Sequence, residues 1–156
     1  MNEKLMNQVA EMKKQTIGVE VEMNSIERSK AAKLAAEFFG TRRYQNTATR
    51  NGYCTWSAWD AQGREWKFQR DGSIHGPDSE KCEMVTPILT YADMDLLQGL
   101  IRQLRKAGAR SDATRGCGVH IHIGAKGHDA KSLRNLANIM ASHESLLADA
   151  LALDRG

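Results

Sequence analysis

Two pairs of side chains in this chain repeat at a spacing of two. Glu20 and Glu22 lie in Thr16-Ile17-Gly18-Val19-Glu20-Val21-Glu22-Met23, and His120 and His122 lie in Gly116-Cys117-Gly118-Val119-His120-Ile121-His122-Ile123-Gly124. On a strand, residues two apart share a face with side chains about 7 Å apart, close enough to address one polynuclear metal site. Carboxylates in pairs are also common on solvated edge strands. Here Ile17, Val19 and Val21 point the other way, as on a core strand, where unpaired carboxylates are costly unless cations meet them. Imidazoles at this spacing can ligate a metal or contact phosphate, and flanking glycines allow close approach; the same pair can also serve in packing or at a surface. Glu83 is a third candidate, a lone acid in Cys82-Glu83-Met84-Val85-Thr86-Pro87. Three glutamates with one or two imidazoles on neighbouring strands would form a hard, oxygen-rich site that suits Mg²⁺ or Mn²⁺ better than structural zinc. No Gly-rich phosphate loop of the Walker type is present.

The elements that must position these residues follow from patterning. Residues 3–14 read as a weak helix and Thr16–Met23 as a strand. Asn24, with Glu27 three residues on, resembles a capping box that opens a helix through Ala31–Phe39 and stops at Gly40. Residues 41–52 are polar and Arg-rich, without a defensible period. Tyr53–Trp59 and Arg64–Gln69 read as a β-hairpin around Asp60-Ala61-Gln62-Gly63, with a loop from Asp71-Gly72-Ser73. Lys81–Thr86 is a further strand. Thr90 and Asp93 cap a helix with one apolar face, Leu96, Leu97, Leu100, Ile101 and Leu104, ended by Gly108. Val119, Ile121 and Ile123 alternate with the histidines in a strand, and a last helix runs from Asp129 to about Leu153. Strands separated by both hairpins and helices indicate an α+β fold with an antiparallel or mixed sheet.

Composition narrows the class. With 156 residues, 41% hydrophobic and 26% charged, the chain has the make-up of one globular domain over residues 1–156, not of a disordered, collagenous or coiled-coil protein. No apolar run approaches the roughly 20 residues that span a bilayer, and Met1–Lys14 lacks the apolar middle of a signal peptide, so a cytoplasmic protein is expected. Cys54, Cys82 and Cys117 are odd in number and lack paired spacing, which points to reduced packing residues. Residues 51–99 carry four basic and eight acidic side chains, whereas 100–134 carry eight basic and two acidic. An anion near the second segment fits that asymmetry. Nucleic acid does not, because the overall charge is only +3 and the aromatics lie elsewhere.

Four segments in order carry a resemblance. Thr16–Glu22, then Trp66-Lys67-Phe68 leading to Asp71-Gly72-Ser73-Ile74, then Cys82–Leu89, then Cys117–Gly124, resemble the amidoligase family, within the carboxylate–amine ligases related to glutamine synthetase and glutamate–cysteine ligase. The resemblance implies a curved, mainly antiparallel, glutamine-synthetase-like sheet with helices packed on one face, and ATP-dependent amide formation through an acyl phosphate. Carried over, Glu20, Glu22, Glu83 and His120 would bind Mg²⁺ or Mn²⁺, and His122 would contact ATP phosphate or a metal. Asp71 and Ser73 would have substrate or loop duty. The partners implied are ATP, a carboxylate and an amine, drawn from amino acids or peptides. Family members are about twice as long and carry a later Glu-Phe-Arg type segment that is not found after residue 124, so the chain is expected to be the N-terminal part of such a catalytic domain or else a shortened relative that has lost or outsourced half the site.

Two other functions fit the same residues. One is a non-catalytic binding or assembly protein that keeps the sheet, and the other is a metal-dependent hydrolase using His120 and His122. The last helix carries Leu133, Leu136, Ala137, Met140, Leu147, Ala150 and Leu151 at helical spacing, with Ile139, Leu146 and Leu153 widening the stripe. So broad an apolar surface predicts that the helix meets a second chain, as in a homodimer, or further downstream sequence, the alternative being that it lies flat on its own sheet.

Overall fold

The computed structural model describes residues 2–153, in two compact units, Met1–Gly124 and Ala125–Gly156. The first unit holds an open six-stranded antiparallel sheet of β1 (Ile17–Met23), β2 (Tyr44–Asn46), β3 (Trp56–Trp59), β4 (Glu65–Gln69), β5 (Cys82–Val85) and β6 (Val119–Ile123), in the order β2-β3-β4-β5-β1-β6. Its helices are α1 (Glu3–Met12), α2 (Arg28–Phe38) and α3 (Met94–Lys106). The second unit is built on α4 (Ala130–Ala150), opened by a reciprocal capping box between Asp129 and Ser132.

Period-two alternation fixes what each face of the sheet carries. Val19, Met23, Ala58, Trp66, Phe68, Cys82 and Met84 form one buried layer with α2 and α3. In α2 the buried positions are Ala31, Ala32, Ala35 and Ala36, whose small side chains let the helix lie close to the strands. Leu97, Leu100 and Leu104 provide the matching stripe of α3. The fold is therefore α+β, with helices packed on the apolar face of the sheet.

A buried polar network ties the β3–β4 hairpin to the start of α3. Asp60 accepts from the backbone N–H groups of Gln62 and Arg64, both at 3.0 Å, and from Arg64 Nε at 2.8 Å and Trp66 Nε1 at 3.0 Å. Arg64 also pairs with Asp93 at 2.9 Å, and Asp93 closes the capping box with Thr90. Burial alone would raise the Asp60 pKa, but the donations from Trp66 and Arg64 outweigh it and hold the carboxylate below its ordinary range. Asp60→Asn should cost about 1–3 kcal/mol, the typical price of breaking hydrogen bonds to a buried charged group, and urea melts measure it. Gly63 takes a φ of +76° in the hairpin turn, as the sequence requires.

Three local expectations are corrected. Asn24 does not cap α2: it is buried, bridges to Arg110 at the end of β1, and leaves Glu27 as an N-cap without a side-chain bond. Residues 44–46 form β2 within the segment that showed no period, because pairing with β3 supplies what local patterning lacks. Of the free cysteines, Cys82 and Cys117 are buried, whereas Cys54 is exposed in a loop and does not pack. Burial pushes the Cys82 thiol up to about 12, so it stays protonated.

Candidate functional site

The polar face of the sheet is a grid whose rows are set by strand register. One row runs Lys67, Val85, Glu20, His120 across β4, β5, β1 and β6. The next runs Gln69, Glu83, Glu22. Every sequence-predicted site residue on a strand therefore falls on one face, opposite the apolar alternation that packs the core.

Glu22 and Glu83 are direct cross-strand partners, and both are buried. Asp71 joins them: one ligand oxygen from each of Glu22, Asp71 and Glu83 lies within 4.8 Å of the others, a spacing that could hold a cation. Each acid is held by a donor from a different element. Gly118 N–H donates to Glu22 Oε2 at 2.7 Å, Gln69 Nε2 to Glu83 Oε2 at 2.8 Å, and Ser73 N–H to Asp71 Oδ1 at 2.6 Å. The Ser73 hydroxyl reaches both Asp71 Oδ1 at 2.5 Å and Glu22 Oε1 at 3.4 Å. Gly116 makes this approach possible: its φ is +75°, and a Cβ there would stand 2.7 Å from the Ser73 carbonyl oxygen. The loop that carries Asp71 thus leans on the turn that leads into β6.

Glu20 belongs to a neighbouring cluster with both histidines. His120 donates from Nδ1 to Glu20 Oε2 at 3.1 Å, and His122 Nε2 lies 3.4 Å from the same oxygen. Both imidazoles are largely exposed and the carboxylate is not. So the structure brings together Glu22, Glu83 and Asp71, and beside them Glu20, His120 and His122. Asp71, expected from sequence to have substrate or loop duty, is one of the three closest acids. The signal was available in principle, since Asp71 continues the alternation of Lys67 and Gln69 along the polar side of β4.

The charges separate the acids. Burial is the main cause that raises the Glu83 pKa, Gln69 opposes it, and the nearby Glu20, Asp71 and Glu22 carboxylates raise it further. The Ser73 hydroxyl holds Asp71 low against the effect of burial. At Glu20, burial pulls upward, but the His120 and His122 bonds win and hold it below its usual value. The Glu20 bond in turn raises His120 above 6.5. Glu20→Gln should return His120 towards 6.5, and an NMR titration of the imidazole protons checks this.

The fold and site define an α+β protein whose open sheet gathers Glu22, Asp71 and Glu83, with Glu20, His120 and His122, on one polar face. The chain belongs to the family described as putative amidoligase enzyme, whose profile matches residues 13–156. By family it is a ligase-type protein. Comparison with characterised proteins and with solved structures gives no match. Among the described residues, no helix is long and apolar enough to cross a membrane.

Proposed function

We propose that the protein is an ATP- and Mg²⁺- or Mn²⁺-dependent carboxylate–amine ligase, with the glutamine-synthetase-like sheet as its catalytic half-site. The observation that carries this reading is the convergence of Glu22, Asp71 and Glu83 within 4.8 Å on one polar face, beside Glu20, His120 and His122, in a member of the amidoligase family. In the proposed reaction, a substrate carboxylate oxygen attacks the γ-phosphorus of ATP as the bond to ADP breaks. The amine nitrogen then attacks the carbonyl carbon of the acyl phosphate, the carbon–oxygen bond to phosphate breaks, and the nitrogen gives up a proton. Bound divalent cations would offset charge on the transferred phosphoryl group. Glu22, Asp71 and Glu83 would hold them, His120 would add a ligand, and His122 would face the phosphates. Glu20, bonded to both imidazoles, would add a further carboxylate ligand on the histidine side and would hold the His120 Nδ1–H, which leaves Nε2 of that ring for a cation.

ADP release that requires both an amino acid or peptide carboxylate and an amine tests the proposal. Metal binding without nucleotide turnover would favour a binding or assembly protein instead, and ATP-independent hydrolysis a metal-dependent hydrolase.

A homodimer through α4 is proposed alongside. Within its own unit α4 carries Leu133, Leu136 and Met140 one turn apart, with Ile139 beside Met140, an apolar stripe that the unit does not itself cover. Light scattering at micromolar concentration should give about twice the 17.4 kDa of the chain. A strict monomer would refute it.

A further inference from the structure

Strand pairing does not fix every member of the acid cluster. Glu22 and Glu83 face each other across the β1–β5 ladder, whereas Asp71 lies past Gln69, the last paired residue of β4. It stands on the loop between β4 and β5, and that loop has to supply what the ladder does not. The middle of the loop is held from the β6 side: Ile74 is fully buried, and His75 N–H donates to the Arg115 carbonyl at 2.8 Å. Its two ends are joined by a separate set of bonds.

Arg28, the first residue of α2, makes that set. Its Nη1 donates to the carbonyls of both Asp78 and Lys81, each at 2.7 Å, and its Nη2 donates to Asp78 Oδ2 at 3.3 Å. The other carboxylate oxygen of Asp78 accepts from Arg70 Nε, and Arg70 N–H donates to the Tyr53 carbonyl at 2.7 Å. A continuous chain of bonds thus runs from Arg28 through Asp78 to Arg70, whose next residue is Asp71. The helix does not explain a cation at this position. Its N-terminal end is the positive end of its dipole, the N-cap Glu27 makes no side-chain bond, and no acid stands in the first turn. The Arg28 side chain is nevertheless largely buried, and all three of its hydrogen bonds go to the loop. Two carbonyls and a carboxylate suit a planar guanidinium fork, which an ammonium cannot reproduce.

We propose that Arg28 is a positioning residue for Asp71: it staples the β5 end of the loop and, through Asp78 and Arg70, sets where Asp71 leaves β4. The role rests on the metal-dependent ligase reading and adds to it a residue on the helical side of the sheet that touches none of the acids.

The sign of the effect on cation binding separates positioning from charge. Removing a positive charge near three acids should strengthen Mn²⁺ binding by Coulomb's law, whereas releasing Asp71 should weaken it. Mn²⁺ affinity is measured by electron paramagnetic resonance on the full chain, at a temperature where circular dichroism shows each variant folded, so that a purely structural role leaves it unmoved. Arg28→Gln should weaken Mn²⁺ binding about 10-fold or more, the cost typical of an outer-shell partner. Arg28→Lys should recover only part of the loss. Arg70→Gln breaks one exposed ion pair, which contributes little to stability, and should weaken Mn²⁺ binding by less. Lys33→Gln removes the same charge from an exposed position of α2 and should not weaken it. Unchanged or tighter Mn²⁺ binding in Arg28→Gln would overturn the role of Arg28 and leave the metal reading standing; where that variant does not fold, the same result in Arg70→Gln would do so. An equal loss in Lys33→Gln would overturn it too. Failure of the wild-type protein to bind Mn²⁺ would overturn both readings.

Discussion

Replacing Glu83 by glutamine is expected to abolish saturable Mn²⁺ binding and, in the same protein, to raise the melting temperature of the metal-free form at neutral pH. The two effects have one origin. Glu83 is buried opposite Glu22 and within reach of Asp71 and Glu20, so its ionised form is costly in the fold and its pKa is raised. A pKa higher in the folded than in the unfolded chain means that the folded state binds more protons between the two values. The contribution of this group to stability is therefore full below the unfolded value and is lost as pH rises through the folded one. The glutamine variant carries no such loss. Its advantage over wild type should be largest at neutral pH and should shrink as the pH is lowered through the raised pKa. Saturating Mn²⁺ reverses the order, since a ligand at about 100 times its dissociation constant stabilises the wild type by about 2.7 kcal/mol. Because cation binding needs ionised carboxylates, Mn²⁺ affinity should fall with acidification over the same interval. Loss of a direct ligand should exceed the 10–100-fold cost typical of removing an outer-shell partner. Melts of both proteins with and without Mn²⁺ at two pH values decide the matter, and an equal Mn²⁺-induced shift in the two would remove Glu83 from the site.

The largest expected loss of stability is that of Trp66→Ala. Trp66 is fully buried, its ring centroid lies 5.1 Å from that of Phe39, and its indole N–H donates to Asp60 at 3.0 Å. Truncation removes the packing and leaves a cavity, which costs about 3–5 kcal/mol for a tryptophan. It also deprives a buried carboxylate of a donor. Against a total stability of about 5–15 kcal/mol for a domain, this is enough to leave a sizeable unfolded population near physiological temperature. Trp66→Phe keeps most of the volume and should lose less. A urea midpoint for Trp66→Ala within experimental error of wild type would show that the β3–β4 hairpin does not depend on this core.

What could be read from the sequence depended on how locally each feature is encoded. Strand β1 announces itself, because Val19, Val21 and Met23 alternate with Glu20 and Glu22 without interruption, and Glu83 stands out among apolar neighbours. The Thr90–Asp93 capping box is also local, and it forms. Asp71 lies just beyond β4, where a loop composition hides the alternation it continues, and its place in the acid cluster depends on Ser73 and on the turn at Gly116. Asn24 has the chemistry of a helix cap, but β1 extends one residue further by a backbone bridge to Arg110, and the Asn24 side chain, which donates to Cys117 Sγ and accepts from the Ser25 hydroxyl, is not available to α2. Strand β2 is three exposed residues with no pattern of its own.

The two halves of the site differ in how firmly they are held. The acids stand on β1 and β5, each with a neighbour on both sides, or on the loop braced against them, whereas the histidines stand on β6, the edge of the sheet, joined by a single ladder to β1. An edge strand held by one ladder has less to oppose its peeling than strands paired on both sides. Amide hydrogens in 119–123 should therefore exchange sooner than those in 17–23 and 82–85, and the imidazoles can swing away from Glu20 while the acids keep their spacing. A ligand seated across both halves would act as a clasp on that edge, slowing exchange in β6 while leaving β5 unchanged.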